Sequence, residues 1–94
     1  MTTKRGIKPS AKFKKDYRKA RKQGKDMALV DWVINELAND SHLPEKFCDH
    51  ALTGNWKGFR ECHVTPDWLL VYQKIDDKLL LALVRLASHS ELDF

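Results

Sequence analysis

Three histidines in the C-terminal half of this 94-residue chain, His50, His63 and His89, stand beside groups able to move protons or hold phosphate. The densest stretch is Arg60-Glu61-Cys62-His63-Val64-Thr65-Pro66-Asp67-Trp68, in which His63 and Asp67 flank a proline turn. Histidine alone among side chains has an unperturbed pKa that lets it both take and give a proton near neutrality. A base, an acid and a fixed cation are what attack of a ribose 2′-hydroxyl on its own phosphodiester requires. His50, His63 and His89 suit either proton-transfer role. Asp67 serves as a further acid–base group or as the carboxylate that orients a histidine, and Arg85 offers a planar cation matched to phosphate oxygens. A metal-dependent nuclease would show clustered carboxylates, which this sequence lacks, so the reaction read here uses no metal and no other cofactor. A zinc site from Cys48, His50, Cys62 and His63 fits poorly. Cys62 and His63 are adjacent and point to opposite faces of a strand, and the paired C-x₂-C spacing is missing.

Each of these residues also has an ordinary structural use. His63 could be a strand histidine with both ring nitrogens satisfied. Asp67 favours a turn whatever the function, and Arg85 could pair with Glu61 across a sheet. Trp56, Phe59, Trp68 and Tyr72 are of the types that fill cores. His42, in a polar run, reads as surface.

The elements that must position these groups follow from periodicity. A short strand is read around residues 5–8. Ser10 is a good N-cap, Phe13, Tyr17 and Ala20 follow at helical spacing, and Gly24 ends that helix. A second helix is expected over residues 26–38, with Met27, Val30, Val33, Ile34 and Leu37 as its buried stripe. Pro44 lies in the loop beyond. The remainder reads as a β-meander with strands over 58–64, 68–74 and 78–86, joined at Thr65-Pro66-Asp67-Trp68 and Asp76-Asp77. The third strand is apolar on both parities and should be covered on both faces. Together these give an α+β domain spanning residues 1–94, ordered β-α-α-β-β-β, with two helices on one face of a small antiparallel sheet. Strand order brings His63, Asp67, Arg85 and His89 toward one end of the sheet. His50 precedes the first meander strand, and topology alone does not place it.

Charge divides the chain unevenly. Residues 1–25 carry eleven of the seventeen lysines and arginines against one acid, Asp16, a net +10; residues 26–94 carry a net −6. Such a basic segment calls for a polyanionic partner, nucleic acid above all, although lysine-rich helix faces are also simply solvated. No stretch approaches the ~20 apolar residues that cross a bilayer, and no signal-type run opens the chain, so a cytoplasmic location and no membrane partner are expected. Two cysteines make no disulfide framework.

The segment Asp49-His50-Ala51-Leu52-Thr53-Gly54-Asn55-Trp56-Lys57-Gly58-Phe59-Arg60, followed by Glu61-Cys62-His63-Val64-Thr65-Pro66-Asp67-Trp68-Leu69-Leu70-Val71-Tyr72, resembles the YafQ branch of the RelE/ParE toxin superfamily. So does the ending Arg85-Leu86-Ala87-Ser88-His89-Ser90-Glu91-Leu92. The resemblance implies a compact microbial-ribonuclease-like RelE fold. It implies a type II toxin that cuts messenger RNA on the translating ribosome, is monomeric when free and is silenced in a hetero-oligomer by a cognate antitoxin. The catalytic groups it matches are His50, His63, Asp67 and His89, with Arg85 as a phosphate-facing cation. Trp68, Arg60 and a C-terminal phenylalanine would hold substrate. His89 is read as general acid, with the base open among His50, His63 and Asp67. Here Asp93 intervenes before Phe94, which rotates that ring by ~100° if the terminus is helical.

With a ribosomal target, the basic first helix gains a use. Lys12, Lys14, Lys15, Arg18, Lys19 and Lys22 would dock on ribosomal RNA, a salt-dependent contact. Two other classes compete: a noncatalytic ParE-like toxin that inhibits gyrase, and a plain RNA-binding module with structural histidines. The histidine–aspartate convergence favours the ribonuclease.

Overall fold

The chain runs β1 (Gly6–Pro9), α1 (Ala11–Lys22), α2 (Met27–Ala38), β2 (His50–Ala51), β3 (Arg60–Thr65), β4 (Trp68–Ile75), β5 (Leu80–Ala87) and α3 (His89–Leu92). These elements come from a computed structural model, which describes residues 4–92. Both long helices start at the caps the sequence provides. The Ser10 hydroxyl accepts from the Phe13 amide at 3.0 Å, and the Asp26 carboxylate accepts from the Leu29 amide at 3.1 Å. Each satisfies an amide that the first helical turn would leave unpaired. Gly24, at φ +75°, takes the left-handed conformation that stops α1.

The five strands lie in the order β1-β5-β4-β3-β2. The meander β3-β4-β5 is antiparallel as expected. β1, however, pairs with β5 in parallel, so the sheet is mixed rather than purely antiparallel. A parallel neighbour needs a crossover, and every element between β1 and β5 lies on that path. β2 was not anticipated. It has two residues, too few for an alternation to register, and it pairs antiparallel with β3, setting His50 opposite Glu61.

One face of the sheet is packed by the helices. Phe13 and Ala20 of α1 and Val30, Val33 and Leu37 of α2 meet Cys62, Val64, Leu70, Tyr72, Leu81 and Leu83. Met27, expected in the stripe, is only half-buried and packs against that core. The other face carries a smaller cluster of Leu69, Val71, Ala87 and Leu92, flanked by Leu52, Trp56, Phe59 and Val84. β5 is therefore covered on both sides, as its double-parity apolar pattern requires.

Two polar devices fix the ends. Arg5, almost fully buried, donates to Asp40 at 2.7 Å and also pairs with Asp76, tying the exit of α2 to the β4–β5 turn. Hydrogen bonds from Arg5 and then Lys74 hold the Asp40 carboxyl well below the usual carboxylate range. Past Pro9, β1 no longer covers the edge of β5, and α1 takes over. Ser10 donates to the Val84 carbonyl at 2.9 Å, and Asp16 accepts from the Leu86 amide at 2.9 Å. Among the described residues, no helix is long and apolar enough to cross a membrane.

Candidate active site

Strand alternation places the histidines. On β3, Glu61 and His63 share one parity and face away from the helices, while Cys62 and Val64 face the helix-packed core. Pairing with β2 brings His50 onto the Glu61 side. The β3–β4 turn supplies Asp67, and α3, starting directly after β5, supplies His89. The rings form a row: His50 and His63 have centroids 6.1 Å apart, and His63 and His89 are 5.4 Å apart.

The polar contacts give each ring a defined direction. His50 Nδ1 lies 2.6 Å from the Cys48 carbonyl oxygen, and His63 Nδ1 lies 3.4 Å from that of Pro66. A carbonyl only accepts, so Nδ1 is the protonated nitrogen of each ring and Nε2 is left for chemistry. Both Nε2 atoms turn to one carboxylate oxygen, Glu61 Oε1, at 3.5 Å from His50 and 3.7 Å from His63. Glu61 is only 5% exposed. His89 is oriented differently: its Nδ1 meets Asp67 Oδ1 at 3.2 Å, and both side chains are open to solvent. Its Nε2 therefore points away from the carboxylate, the tautomer an orienting aspartate enforces.

His50, His63, Asp67 and His89 are thus brought together. Arg85 is not. A bulge between β4 and β5, where Val71 faces Arg85 but Tyr72 faces Leu83, falls beside it. Its Nε donates to Asp16 of α1 at 2.8 Å, and its hydrogen bonds go to Asp16, not to Glu61 or the histidines. Arg60 is also off the histidine face. Its parity is that of Cys62, and its Nε donates to Asp49 and to the Tyr72 hydroxyl, each at 3.3 Å. Trp68 is 5% exposed and part of the core, with the Lys25 ammonium 5.7 Å from the ring centroid, so it offers no open stacking surface. Phe94 lies outside the described residues. Lys12, Lys14, Lys15, Arg18, Lys19 and Lys22 are all exposed on α1.

Glu61 is the site residue that sequence reasoning missed. Its signal was available: it stands two residues before His63 on a strand, hence on the same face. Lys25 and Lys46 were missed as well. Lys25 lines a cleft with Asp67, Ser88 and Glu91, and Lys46 lines one with His63 and Thr65.

His50, Glu61 and His63 offer one ligand atom each within 4.8 Å of one another, a compact set that could hold a metal ion. The cysteines add nothing to it. Cys62 is buried on the opposite face, where burial pushes its thiol up, away from the thiolate a metal needs.

Residues 5–93 match the family model described as bacterial toxin of type II toxin–antitoxin system, YafQ. The chain belongs to the YafQ toxin family. It is 44% identical to the mRNA interferase toxin YafQ of Escherichia coli K12 over 77 residues, covering 81% of this chain and 83% of that protein. The E. coli DinJ–YafQ toxin–antitoxin complex contains a chain of the same fold, with a TM-score of 0.87 at 38% identity, covering 97% of this chain and 99% of that one. A metal-bound toxin from Helicobacter pylori is similar too, with a TM-score of 0.88 at 48% identity over 93% of this chain and 97% of that one. Membership in the YafQ family sets aside the ParE-like gyrase inhibitor and the plain RNA-binding module. The protein is a type II toxin of the mRNA interferase class, an endoribonuclease.

Proposed function

We propose that the histidine row cuts messenger RNA held on the ribosome, with His63 as base and His89 as acid. The supporting observation is that the two rings pack with centroids 5.4 Å apart, near enough for both to reach one phosphodiester, with each Nδ1 already committed elsewhere. His63 Nε2, which at 3.7 Å from Glu61 Oε1 is not hydrogen-bonded to it, takes the proton of the ribose 2′-hydroxyl, and the 2′ oxygen forms a bond to phosphorus. The P–O5′ bond breaks, and His89 Nε2 gives its proton to the departing oxygen. The products are a 2′,3′-cyclic phosphate and a 5′-hydroxyl end.

Glu61 supports the base from below, while His50 completes the carboxylate's other contact. Asp67 orients His89 rather than acting as base. Lys25 and Lys46 supply the positive field beside the phosphate that Arg85, engaged with Asp16, does not. The metal-capable set is read as serving proton transfer: an ion there would occupy imidazole nitrogens that must exchange protons.

The exposed lysines of α1 are read as the ribosome-docking face, and a cognate antitoxin is inferred from the DinJ complex of the relative. The test is to add the protein to programmed ribosomes and map message ends at two salt concentrations, with Lys12, Lys15 and Lys22 reversed to glutamate in a parallel variant. Ribosome-dependent cleavage that weakens with salt and with charge reversal is expected. Equal cutting of naked RNA, insensitive to both, would remove the ribosome from the account.

A further inference from the structure

His89 stands on the least secure element of the site. α3 has four residues, far short of the ~12 that make an isolated helix even marginal in water. Its backbone contributes the Leu92 amide to the Ser88 carbonyl at 3.1 Å. His89 itself is 57% exposed and touches Asp67, which is 79% exposed, so the contact sets which ring nitrogen faces the carboxylate but is too solvent-screened to fix where the pair sits. Something besides the couple must hold the ring beside His63.

The sequence Ser88-His89-Ser90-Glu91 has the spacing of a capping box, and the contacts bear that out. Glu91 Oε1 accepts from the Ser88 amide at 3.1 Å and from the Ser88 hydroxyl at 3.0 Å. The Ser88 hydroxyl in turn accepts from the Glu91 amide at 3.4 Å. The second carboxylate oxygen, Oε2, accepts from Lys19 Nζ of α1 at 2.8 Å. Leu92, one residue on, is buried in the cluster under the open face. The turn carrying His89 is therefore closed by Glu91, roofed by Lys19 and floored by Leu92. These hydrogen bonds hold the Glu91 carboxyl at about 2, so it is ionised whenever the histidines can work.

We propose that Glu91 and Lys19 are positioning residues that hold the α3 turn against α1 and so fix His89 for proton transfer. The proposal rests on the ribonuclease reading for its kinetic consequence, but not for its structural one. It also gives Lys19 a different duty from its neighbours on α1. Lysines that only dock on RNA act on binding, whereas Lys19 acts through Glu91 on the chemical step.

The experiment compares Glu91→Ala, Glu91→Gln, Lys19→Ala and the double alanine variant. It reads kcat and KM on programmed ribosomes, Tm, and the ring-nitrogen NMR signals of His89 in the free protein. A cap is typically lost at a cost of a factor of about ten, so Glu91→Ala should lower kcat roughly tenfold with KM within about twofold. Glu91→Gln, which can still close the box, should recover most of that loss. Lys19→Ala should lower kcat by about threefold, and the double variant should be no worse than Glu91→Ala, since residues acting through one contact are not additive. A wild-type kcat in Glu91→Ala, or a Lys19 effect confined to KM, overturns the proposal. Unchanged His89 ring signals in Glu91→Ala overturn it even if the wild type proves to cleave nothing, which separates its failure from failure of the ribonuclease reading.

Discussion

Two carboxylates contact the histidine row, and their burial sets how much each is worth. Asp67 meets His89 at 3.2 Å, but its side chain is 79% exposed. At a water-like dielectric a unit-charge pair at that distance is worth about 1 kcal/mol, and exposed pairs measure about 0.2–1. Replacing Asp67 with asparagine should therefore slow cleavage by no more than about fivefold. Glu61 is the opposite case. It is nearly fully buried, and Oε1 faces two imidazole nitrogens at 3.5 and 3.7 Å. At an effective dielectric of about 20 such a pair reaches about 4 kcal/mol, which caps the loss near 10³. The near-isosteric Glu61→Gln keeps the side chain's size and shape and loses the charge, so about 10² in kcat is the expected effect. The assay is single-turnover cleavage of ribosome-bound message by both variants, with Tm recorded to show the fold intact. If Asp67→Asn cost as much as Glu61→Gln, solvent screening would not be what ranks these groups, and the reasoning would fail.

Three further outcomes follow from the geometry. Arg85→Ala should cost about 2 kcal/mol of stability, the worth of a charged hydrogen bond, with kcat within about threefold; a large kcat loss at unchanged Tm would return Arg85 to the phosphate. Asp40 and Glu91 both titrate below their unfolded-chain values, so each stabilises the fold fully above about pH 4.5 and progressively less as pH falls toward its folded value. Tm should accordingly drop between about pH 4.5 and 2, and Asp40→Asn should flatten part of that slope. Toxin stripped of metal with EDTA and then dialysed free of the chelator should cleave message on magnesium-supplied ribosomes at an unchanged rate, while added zinc lowers it. Loss of activity in the stripped toxin, restored by zinc or another transition metal, would contradict the proton-transfer reading of His50, Glu61 and His63.

Much of the architecture was legible because it rests on periodicity and caps. Ser10, Gly24 and the Val30–Leu37 stripe specify the helices locally, and the proline turn pins the β3–β4 hairpin that carries His63 and Asp67. What escaped was non-local or short. The parallel seat of β1 beside β5 depends on tertiary closure, and two residues of β2 carry no pattern. Arg85 was misplaced because its partner, Asp16, lies 69 residues away on α1, where it covers the strand edge beyond Pro9. Trp68 sits in the core under Lys25, as its residue type suggests, and not on the open surface that the substrate-holding role implied by the resemblance would need. Glu61 was on the page as the alternate residue to His63, and only the pairing of β2 with β3 shows that one buried carboxylate serves two imidazoles.

The central claim is that side chains, acting as acid and base, drive a 2′-hydroxyl onto its own phosphate. The most direct measurement replaces the ribose on the 5′ side of the mapped cleavage site with a single 2′-deoxyribose in an otherwise unchanged message on programmed ribosomes. The account predicts that cleavage at that bond disappears, while the all-ribose message yields a 2′,3′-cyclic phosphate and a 5′-hydroxyl. Continued cleavage of the deoxy-substituted bond, leaving a 5′-phosphate, would contradict it.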